Sequence, residues 1–537
     1  MLRIPQLKLD LSAGEEELWQ AAAKALRLPK QQIQQLKIVK RSVDARKKER
    51  VQLVYTVDVA LCCSEAQVLQ RLKKTQIGPS PKAQYRLPLV AARSDVPRPV
   101  VVGLGPAGLL AALVLAEAGC PPLVIERGQR VEERQRAVAR FWQGGPLDVE
   151  SNVQFGEGGA GTFSDGKLTT NTKDIRNQKV LAELVEAGAP AEILYQAKPH
   201  IGTDLLRQVV QHLRQKILRL GGEICFGTKL VELHWERAGG KKQLAAMTVQ
   251  GPQGRRQLAA EQLILAIGHS ARDTMTWLHA AGLPMAPKPF SLGVRVEHLQ
   301  RELDQWQYGA FAGHPALGAA DYKLACHLPN GRSVYTFCMC PGGQVVAAAS
   351  EAGGIVTNGM SHWRRDGENA NSAVLVGVDP ADFGDDHPLA GMWLQRRIEQ
   401  AAFRLAGETY LAPCQRLGDF LQNRPSQQFG KVLPSYLPGV TLGQVGSCLP
   451  DFVVESLRQG FLALEQKLPG FAQADALLTG PETRSSSPVR LLRDETYQSW
   501  PGLYPCGEGA GYAGGIVSAA ADGIRCAEAV LQQLAGH

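Results

Sequence analysis

The sequence predicts an α/β fold in which one domain is assembled from two distant parts of the chain. The first part opens with a strand, a glycine-rich turn and an uncharged helix, "VVVGLGPAGLLAALVLAEAG", from Val100 to Gly119. The second is another glycine-rich helix start, "GEGAGYAGGIVSAAADGIRCAEAV", from Gly507 to Val530. Between them, residues 288–480 change to mixed strands and helices with many Gly and Pro residues. These observations predict a two-part Rossmann-like domain that carries an inserted α+β domain.

The composition is typical of a globular protein of several domains. The 537 residues are 44% hydrophobic and 20% charged, and the net charge of +8 is mild for this length. Eleven scattered cysteines do not make a disulfide framework. The first residues lack the apolar core of a signal peptide, and the uncharged run Pro99–Ala116 is interrupted early by Gly and Pro. We therefore expect a soluble cytoplasmic protein with no membrane partner.

Residues 1–92 are predicted to form a small N-terminal α+β domain. A helix with one apolar face precedes two strand-like runs, around Leu36–Val39 and Val51–Ala60. The segment Lys37–Arg50 contains seven basic residues and two acidic ones. This pattern favours a solvated basic hairpin, and a nucleic-acid or partner-binding edge is the alternative. The stretch Arg93–Val100 is interpreted as a linker.

The first part of the two-part domain is predicted over residues 97–287. In its G-x-G-x-x-G motif, the first Gly permits a tight turn, the second lets the backbone approach a pyrophosphate, and the third allows close helix–strand packing. An acidic residue ends "PLVIE" at the position where a carboxylate can accept both ribose hydroxyls. The residues predicted to contact a dinucleotide here are Gly103, Gly105, Pro106, Ala107, Gly108, Glu126 and Arg127.

Further dinucleotide contacts are predicted in a third glycine-rich stretch, "FGEGGAGTFSDGKL", from Phe155 to Leu168. Its glycines allow close backbone approach, and its hydroxyls and carboxylate suit a polyol chain or a phosphate; a flexible surface loop is the alternative. The apolar run "LILAIGH", Leu263–His269, fits a strand beneath a bound dinucleotide. The predicted residues are Gly158, Gly159, Gly161, Thr162, Ser164, Asp165, Gly166, Leu230 and Gly268.

The C-terminal part, residues 481–537, distinguishes FAD from NAD. A strand ending in "YPCGE" would bring a carboxylate to the middle of the cofactor, where it can bond a ribityl hydroxyl. The following helix would direct its dipole at the pyrimidine edge of a reduced flavin. NAD has no ribityl chain, so we predict noncovalent FAD spanning both glycine-rich loops. The predicted contacts are Gly507, Glu508, Gly514, Gly515 and Ile516.

Several longer stretches resemble a bacterial family of uncharacterised FAD-dependent dehydrogenases, within the wider glutathione-reductase-like class of flavoproteins. They include "ESNVQFGEGGAGTFSDGKL", "KPFSLGVRVEH", "CMCPGG", "SEAGGIVTNGMS" and "YPCGEGAGYAGGIVSAAADGI", and they lie within residues 97–537. The resemblance implies a two-part FAD fold, an inserted substrate-facing domain and a small N-terminal appendage. It implies no particular substrate. Glu508 stands where members of the wider class often have Asp. The longer side chain of Glu would shift the contact with the cofactor but would still supply a carboxylate.

Two cysteines of "CMCPGG", Cys338 and Cys340, would face the same side of an extended strand. With Cys326 and His327 they could supply four ligands, but the spacing matches no standard zinc motif. Structural cysteines are the favoured interpretation, redox-active thiols and a metal site are the alternatives, and no metal is predicted.

Four other polar residues lie in or beside the predicted loops and could contact either substrate or the cofactor phosphates: Lys167, His200, His269 and Arg484. None of them can be assigned as catalytic from the sequence.

We therefore expect an FAD-dependent oxidoreductase that acts on an unidentified small molecule, with residues 288–480 forming the substrate chamber. NAD(P)H or another electron donor would reach the flavin without a second Rossmann unit. The alternative is an FAD-holding protein for RNA modification or redox sensing, which would use the basic N-terminal domain; nucleic acid is not the expected partner.

Overall fold

The computed structural model describes residues 1–72, 75–81, 84–88, 97–238 and 241–535. The first half of the linker predicted at Arg93–Val100, and the predicted domain boundary at residue 92, lie outside the described residues. Among the helices within these ranges, none has both the length and the apolar character needed to cross a bilayer. The cytoplasmic location stays a prediction.

The N-terminal residues form a small sheet covered by helices. Its elements are β1 (Leu2–Asp10), α1 (Glu15–Leu26), β2 (Ile33–Asp44), β3 (Gln52–Leu61), α2 (Glu65–Arg71) and β4 (Gly78–Pro79). The strands are antiparallel in the order β2-β3-β1-β4, which is the βαββαβ arrangement of a ferredoxin-like unit. Both predicted strands exist; β2 extends beyond the predicted run at both ends, and β3 is shifted by one residue from Val51–Ala60.

The next part contains the first strands of a parallel sheet and a three-stranded antiparallel sheet. Its elements are β5 (Val100–Val102), α3 (Pro106–Glu117), β6 (Leu123–Ile125), α4 (Val131–Trp142), α5 (Arg176–Glu186), α6 (Thr203–Arg219), β7 (Glu223–Cys225), β8 (Lys229–Ala238), β9 (Lys241–Gly251), β10 (Gly254–Ala259), β11 (Leu263–Leu265), α7 (Arg272–Ala280) and β12 (Met285–Pro287). Every residue of β5 and β11 is buried, which explains why these strands are apolar without alternation.

The inserted region is built around a seven-stranded sheet. Its elements are β13 (Phe290–Leu299), α8 (Gln300–Tyr308), β14 (Ala325–His327), β15 (Ser333–Cys340), β16 (Gly343–Ala347), β17 (Thr357–Ser361), β18 (Asn369–Val378), α9 (Ala390–Leu405), β19 (Ala412–Arg416), α10 (Leu417–Leu421), β20 (Val440–Leu442), α11 (Asp451–Glu465) and β21 (Leu477–Glu482). The strand order is β14-β15-β18-β13-β21-β19-β20, and β16 pairs with β17. Every pair in this region is antiparallel except β19 with β20.

The chain then returns to the parallel sheet through β22 (Val489–Leu491), β23 (Leu503–Pro505) and α12 (Ile516–Ala535). The parallel sheet has the order β23-β11-β5-β6-β7, so Leu503 pairs with Leu263, which in turn pairs with Val100. The predicted fold class, a two-part α/β domain with an insertion and a small N-terminal unit, is confirmed.

The two glycine-rich helices, α3 and α12, pack against each other closely. A Cβ atom built on Gly523 of α12 would lie 2.0 Å from the backbone oxygen of Ala107 in α3. Only glycine permits this approach. Two helix starts that are far apart in the sequence therefore lie side by side.

The N-terminal unit docks on two loops of the rest of the chain. The backbone N–H of Arg41 donates to the carbonyl of Tyr195 at 2.7 Å, and the N–H of Ala197 donates to the carbonyl of Arg41 at 2.8 Å. Phe311 and Leu317 pack against the apolar core of the unit. The basic strand β2 is therefore partly an internal contact surface.

Candidate functional site

A cavity of about 980 Å³ lies at the carboxyl edge of the parallel sheet and extends into the inserted region. The residues that follow β5, β6, β11 and β23 all line it, as expected for ligands of parallel α/β sheets. Most of the residues predicted to contact FAD line this cavity: Gly103, Gly105, Pro106, Ala107, Glu126, Arg127, Gly159, Gly161, Ser164, Asp165, Gly166, Leu230, Gly268, Glu508, Gly514, Gly515 and Ile516.

The other four predicted residues lie behind the lining and shape the loops. A Cβ atom on Gly108 would lie 1.9 Å from the backbone oxygen of Gly103. A Cβ atom on Gly158 would lie 2.1 Å from the hydroxyl of Thr162, which is itself buried. Gly507 has a φ of +74°, which favours glycine. A direct cofactor contact by these four stays a prediction.

The first glycine-rich loop leaves room for a ligand at one glycine only. Gly103 has a φ of +97°, and a Cβ atom there would lie 2.3 Å from the backbone oxygen of Ala266. At Gly105 the nearest atom to such a Cβ is the Cα of Gly159, at 3.7 Å. Because Gly105 precedes the first residue of α3, the free N–H groups of this helix start lie at the cavity. This cradle fits the pyrophosphate of FAD.

Glu126 is buried beneath the same loop and is 4% exposed. Its Oε2 accepts a hydrogen bond from the N–H of Leu104 at 2.7 Å. Its Oε1 accepts from the N–H groups of Gly128 at 2.8 Å and Gly156 at 3.1 Å. A carboxylate offers roughly four acceptor positions. One acceptor position of Glu126 is therefore left for a ribose hydroxyl, whereas the sequence predicts that this carboxylate accepts from both ribose hydroxyls.

Asp165 links the nucleotide-binding part to the inserted region. Its carboxylate accepts from the guanidinium of Arg365 at 2.6 and 3.0 Å, pairs with Lys167 at 3.0 Å, and accepts from the Ser361 hydroxyl. Burial opposes ionisation, but the Lys167 and Arg365 charges hold the pKa of Asp165 below its usual range. The sequence predicts a polyol or phosphate partner here, whereas the structure engages both carboxylate oxygens within the protein.

The second glycine-rich loop is open at the start of α12. No atom lies within 4 Å of a Cβ atom built on Gly514, and Gly515 meets only the Ser518 hydroxyl, at 4.0 Å. Glu508 contacts the Nδ1 of His269 at 3.1 Å. The Nε2 of His269 is buried at the cavity and has no hydrogen-bond partner among the described residues. The clearance and this unpaired nitrogen both fit a bound ligand such as FAD.

The other polar candidates separate into cavity residues and structural ones. Lys167 and His269 line the cavity. His200 does not: its Nε2–H donates to the carbonyl of Trp363 at 3.0 Å and its ring stacks on that indole, while burial lowers the pKa of His200 to about 4.

Arg484 reaches the cavity wall, but its charge is committed to a buried network. Its guanidinium pairs with Glu399 at 3.0 Å, and Glu399 also pairs with Arg272 at 2.8 Å. Arg272 lies on α7 of the nucleotide-binding part and Glu399 on α9 of the insertion, so the network fixes one against the other. Sequence reasoning missed Arg272 and Glu399 because they lie 127 residues apart, and no local pattern links them.

The strand that carries Cys338 and Cys340 is not regularly extended. Its pairing with β18 shifts between Phe337 and Cys340, and Cys338 has a φ of +43°. Cys338 lines the cavity, while Cys340 is fully buried. The regularly extended strand that the prediction assumes is therefore wrong, because a bulge intervenes.

A metal site at these cysteines finds no support in the geometry. Among the described residues, the group of three potential ligands brought together is Cys506, Asp522 and Cys526. Asp522 is already engaged by the guanidinium of Arg493, at 2.7 and 3.0 Å.

Comparisons with known proteins include a relative of nearly full length. An uncharacterized protein from Clostridium beijerinckii is 48% identical over 535 residues, which cover 99% of both chains. Residues 289–485 match the family described as "FAD-dependent protein, C-terminal domain-like", and residues 1–60 match a domain of unknown function. The predicted FAD cofactor is confirmed by the first of these families.

Solved structures resemble the chain only weakly. A flavin-dependent brominase is 13% identical, with 82% of this chain and 80% of that chain covered and a TM-score of 0.38. A flavoprotein/dehydrogenase from Cytophaga hutchinsonii is 12% identical, with 82% and 78% covered and a TM-score of 0.35. Likeness at this level carries no argument about activity. The finer resemblance to glutathione-reductase-like proteins is not confirmed.

Proposed function

We propose that this chain, which belongs to the same family as its clostridial relative, is an FAD-dependent oxidoreductase acting on a small molecule. One observation carries the proposal: a single cavity runs from both glycine-rich loops into the inserted region. Its far wall includes Tyr322, Thr336 and Phe337 of the insertion. A substrate on that wall would lie against the flavin end of a cofactor held by the loops.

The residues at the loops would hold FAD in one orientation. Gly105 and the start of α3 would receive the pyrophosphate, and Gly514, Gly515 and the start of α12 would receive the flavin end. Bound FAD supplies two-electron redox chemistry, which side chains lack. The protein contributes binding, orientation and exclusion of water.

Two side chains are placed to handle charge and protons. Lys167 is held between Asp165 and the carbonyl of Met339. Burial works against its charge, but Asp165 more than offsets this and raises the pKa of Lys167. It can therefore stabilise negative charge that develops beside it. His269 donates from Nδ1 to Glu508, which leaves Nε2 as an acceptor at the cavity for a substrate proton.

The inserted region supports the idea that a nicotinamide donor has no dedicated domain. Within its described residues the main sheet is antiparallel apart from one pair of strands at its edge. These residues contain no strand–glycine-loop–helix unit of the kind that binds a dinucleotide. Direct reduction by NADH or NADPH should therefore be slow or need high concentrations. Flavin bleaching that saturates at low micromolar NADH or NADPH in a rapid-mixing experiment would contradict this.

The RNA-associated alternative has no supporting match. In the basic hairpin, Arg46 pairs with Asp44 at 2.7 Å, and the backbone of Arg41 is used in docking. These contacts favour a structural role for the N-terminal unit. Salt-sensitive RNA binding that disappears when residues 1–92 are deleted would revive the alternative.

The decisive experiment is anaerobic photometry of the purified yellow protein. The flavin released by denaturation should chromatograph as FAD, because the first loop is built for the adenosine diphosphate half that FMN lacks. Candidate substrates are then added without oxygen, and a productive one should bleach the flavin stoichiometrically. Release of FMN alone would overturn the cofactor assignment, and an unreactive flavin across broad substrate classes would count against an oxidoreductase.

A further inference from the structure

The cations that line the cavity differ in whether a carboxylate neutralises them. Among the described residues, eight lysine and arginine residues line it. Six of these pair with a carboxylate at 2.6–3.0 Å: Arg127, Lys167, Lys198, Lys229, Arg365 and Arg484. Lys288 and Lys323 have no carboxylate within ion-pair distance in the described part of the chain. Lys323 is exposed to water, whereas Lys288 is half-buried, where an unpaired charge is costly.

The ammonium group of Lys288 is poorly satisfied by the protein. It donates to the carbonyls of Pro289 and Ser487, each at 3.4 Å, which is long for an N–H···O hydrogen bond. An ammonium group has three N–H donors, so one donor remains without an acceptor even if both long bonds form. A charged donor in this state favours an anion supplied from outside the protein.

A second cation lies beside Lys288 on a two-stranded ribbon, β12 with β22, through which the chain enters and leaves the inserted region. Ala286 lies opposite Arg490 in this ribbon, and the N–H of Lys288 continues the pairing by donating to the carbonyl of Pro488 at 2.9 Å. Because alternate residues of a strand share a face, Lys288 and Arg490 are diagonal neighbours on one face, with Cβ atoms about 7–8 Å apart. The ribbon therefore presents two positive charges side by side.

Arg490 is likewise without a carboxylate at ion-pair distance, as far as the described residues extend. Its guanidinium donates to the carbonyl of Gly511 at 3.3 Å and lies over the ring of Tyr512, 5.3 Å from the ring centroid. Gly511 and Tyr512 both line the cavity. The N–H of Leu491 donates to the carbonyl of Ala510 at 3.2 Å, which holds the ribbon against the second glycine-rich loop. The two cations therefore lie beside the end of the cavity assigned to the flavin.

We propose that the substrate is an organic acid whose anionic group, a carboxylate or a phosphate, binds between Lys288 and Arg490. This inference rests on the proposed function, because it names the substrate class of the same cavity. A planar guanidinium and an ammonium group together offer charged donors to the oxygens of such a group. The rest of the substrate would lie in the cavity, where the unpaired Nε2 of His269 is available as a proton acceptor.

The charges that act on Lys288 agree with this placement. Burial and the neighbouring charge of Arg490 lower the pKa of Lys288, and Glu508 opposes the shift from beyond ion-pair distance. Glu508 is itself in contact with His269 at 3.1 Å. An anion held between the two cations would offset their repulsion and raise the pKa of Lys288.

The test is a calorimetric titration of the FAD-loaded full chain with two probe anions, benzoate and inorganic phosphate. At least one should bind to the wild type, and Lys288→Met should weaken that binding at least about tenfold, or about 1.4 kcal/mol. Arg490→Met, which removes a more exposed cation, should weaken it about threefold. Lys288→Arg keeps the charge and should retain most of the affinity.

Lys323→Met is the matched control, because it removes the other unpaired lysine of the cavity, which is exposed. Its affinity for the probe should stay within about twofold of the wild type, because water already screens this charge. All variants are compared at equal flavin content. Binding of benzoate alone would identify the anionic group as a carboxylate, and binding of phosphate alone would identify it as a phosphate.

Three results would overturn the proposal: binding of neither probe, equal losses in Lys288→Met and Lys323→Met, or displacement of a bound probe by micromolar NADP⁺. The last would assign the two cations to a nicotinamide donor. The titration requires no turnover, so a flavin that no substrate reduces leaves its result intact. Reduction of the flavin by neutral molecules, without binding of either anion, would instead retain the oxidoreductase and reject the organic acid.

Discussion

The two glycine-rich loops look alike in the sequence and do different work in the structure. In the first, Gly103 and Gly108 are fixed by protein atoms, since added Cβ atoms would lie 2.3 and 1.9 Å from backbone oxygens. In the second of these loops, at the start of α12, Gly514 and Gly515 face open space. Gly103 and Gly108 let the first loop pack on the rest of the chain, whereas Gly514 and Gly515 clear room for a ligand. The earlier glycines of the second loop pack like the first pair, since a Cβ atom on Gly509 would lie 2.6 Å from the backbone of Gly268. Gly105 is the exception in the first loop, because it too faces space.

The acidic residues beside the loops differ in the same way. Glu126 is buried and accepts three backbone N–H groups. The side chain of Glu508 is 28% exposed, and its contact is with His269. One carboxylate holds its loop together, and the other remains largely free for a ligand.

The largest effect is expected for Gly108→Ala. The new Cβ would overlap the backbone oxygen of Gly103, so α3 would have to move away from β5, at a cost of about 3 kcal/mol or more. Urea denaturation of the apo-protein should show the loss. Gly377→Ala is the matched control, because nothing lies within 4 Å of its Cβ position. Equal stability of Gly108→Ala and Gly377→Ala would contradict the idea that packing against Gly103 requires glycine at position 108.

Gly105→Val should instead spare the fold and remove the cofactor. The nearest protein atom to the new Cβ is 3.7 Å away, so the free energy of unfolding of the apo-protein should change by less than about 1 kcal/mol. The branched side chain would occupy the place of the pyrophosphate and weaken FAD binding at least about 100-fold, or about 2.7 kcal/mol. Flavin fluorescence titration measures the affinity. A fully yellow purified variant would show that this loop does not hold FAD.

The two carboxylates are compared by Glu126→Gln and Glu508→Gln. A glutamine at 126 offers one acceptor oxygen to three N–H donors, so the apo-protein should lose about 2 kcal/mol. At 508 the same change should cost the apo-protein less than about 0.5 kcal/mol and appear mainly as weaker FAD binding. Thermal unfolding of both apo-proteins checks the first effect and flavin titration the second. Matching stability losses in the two variants would count against different roles.

The smallest effect is expected for Gly515→Ala. Its Cβ would meet only the Ser518 hydroxyl at 4.0 Å, and alanine reduces the entropy of the unfolded chain, so the apo-protein should gain up to about 0.5 kcal/mol. FAD affinity should fall by roughly threefold, about 0.7 kcal/mol, because the methyl group enters the space for the flavin end. Calorimetry of the apo- and FAD-loaded forms separates the two changes.

The sequence predicted those parts of the fold and site whose residues lie close together in the chain. The strand–turn–helix at Val100–Glu117 is contiguous, and Glu126 follows the next strand, so spacing alone located them. The similar character of the two loops predicted that the chain returns to its first sheet, and β23 does so beside β11.

Contacts between distant residues left no such signal. The Asp165–Arg365 pair joins segments two hundred residues apart, and its geometry depends on how the inserted region docks. The backbone donors to Glu126 come from the fold around it and not from a motif. The bulge at Cys338 arises from strand pairing, which a regular alternation of residues does not predict. Direct FAD contacts by the individual loop residues stay predictions.

The strand order of the parallel sheet has a consequence for synthesis of the protein. β23 supplies an edge of that sheet and α12 covers α3, yet both are synthesised long after β5 and β11. At about 5–20 residues per second, a nascent chain spends on the order of tens of seconds with β11 unpaired on one side. Such an open edge invites aggregation. We therefore expect nascent chains to depend on chaperones and to acquire FAD only after β23 and α12 have been synthesised, so a chain that stops short of β23 should emerge colourless.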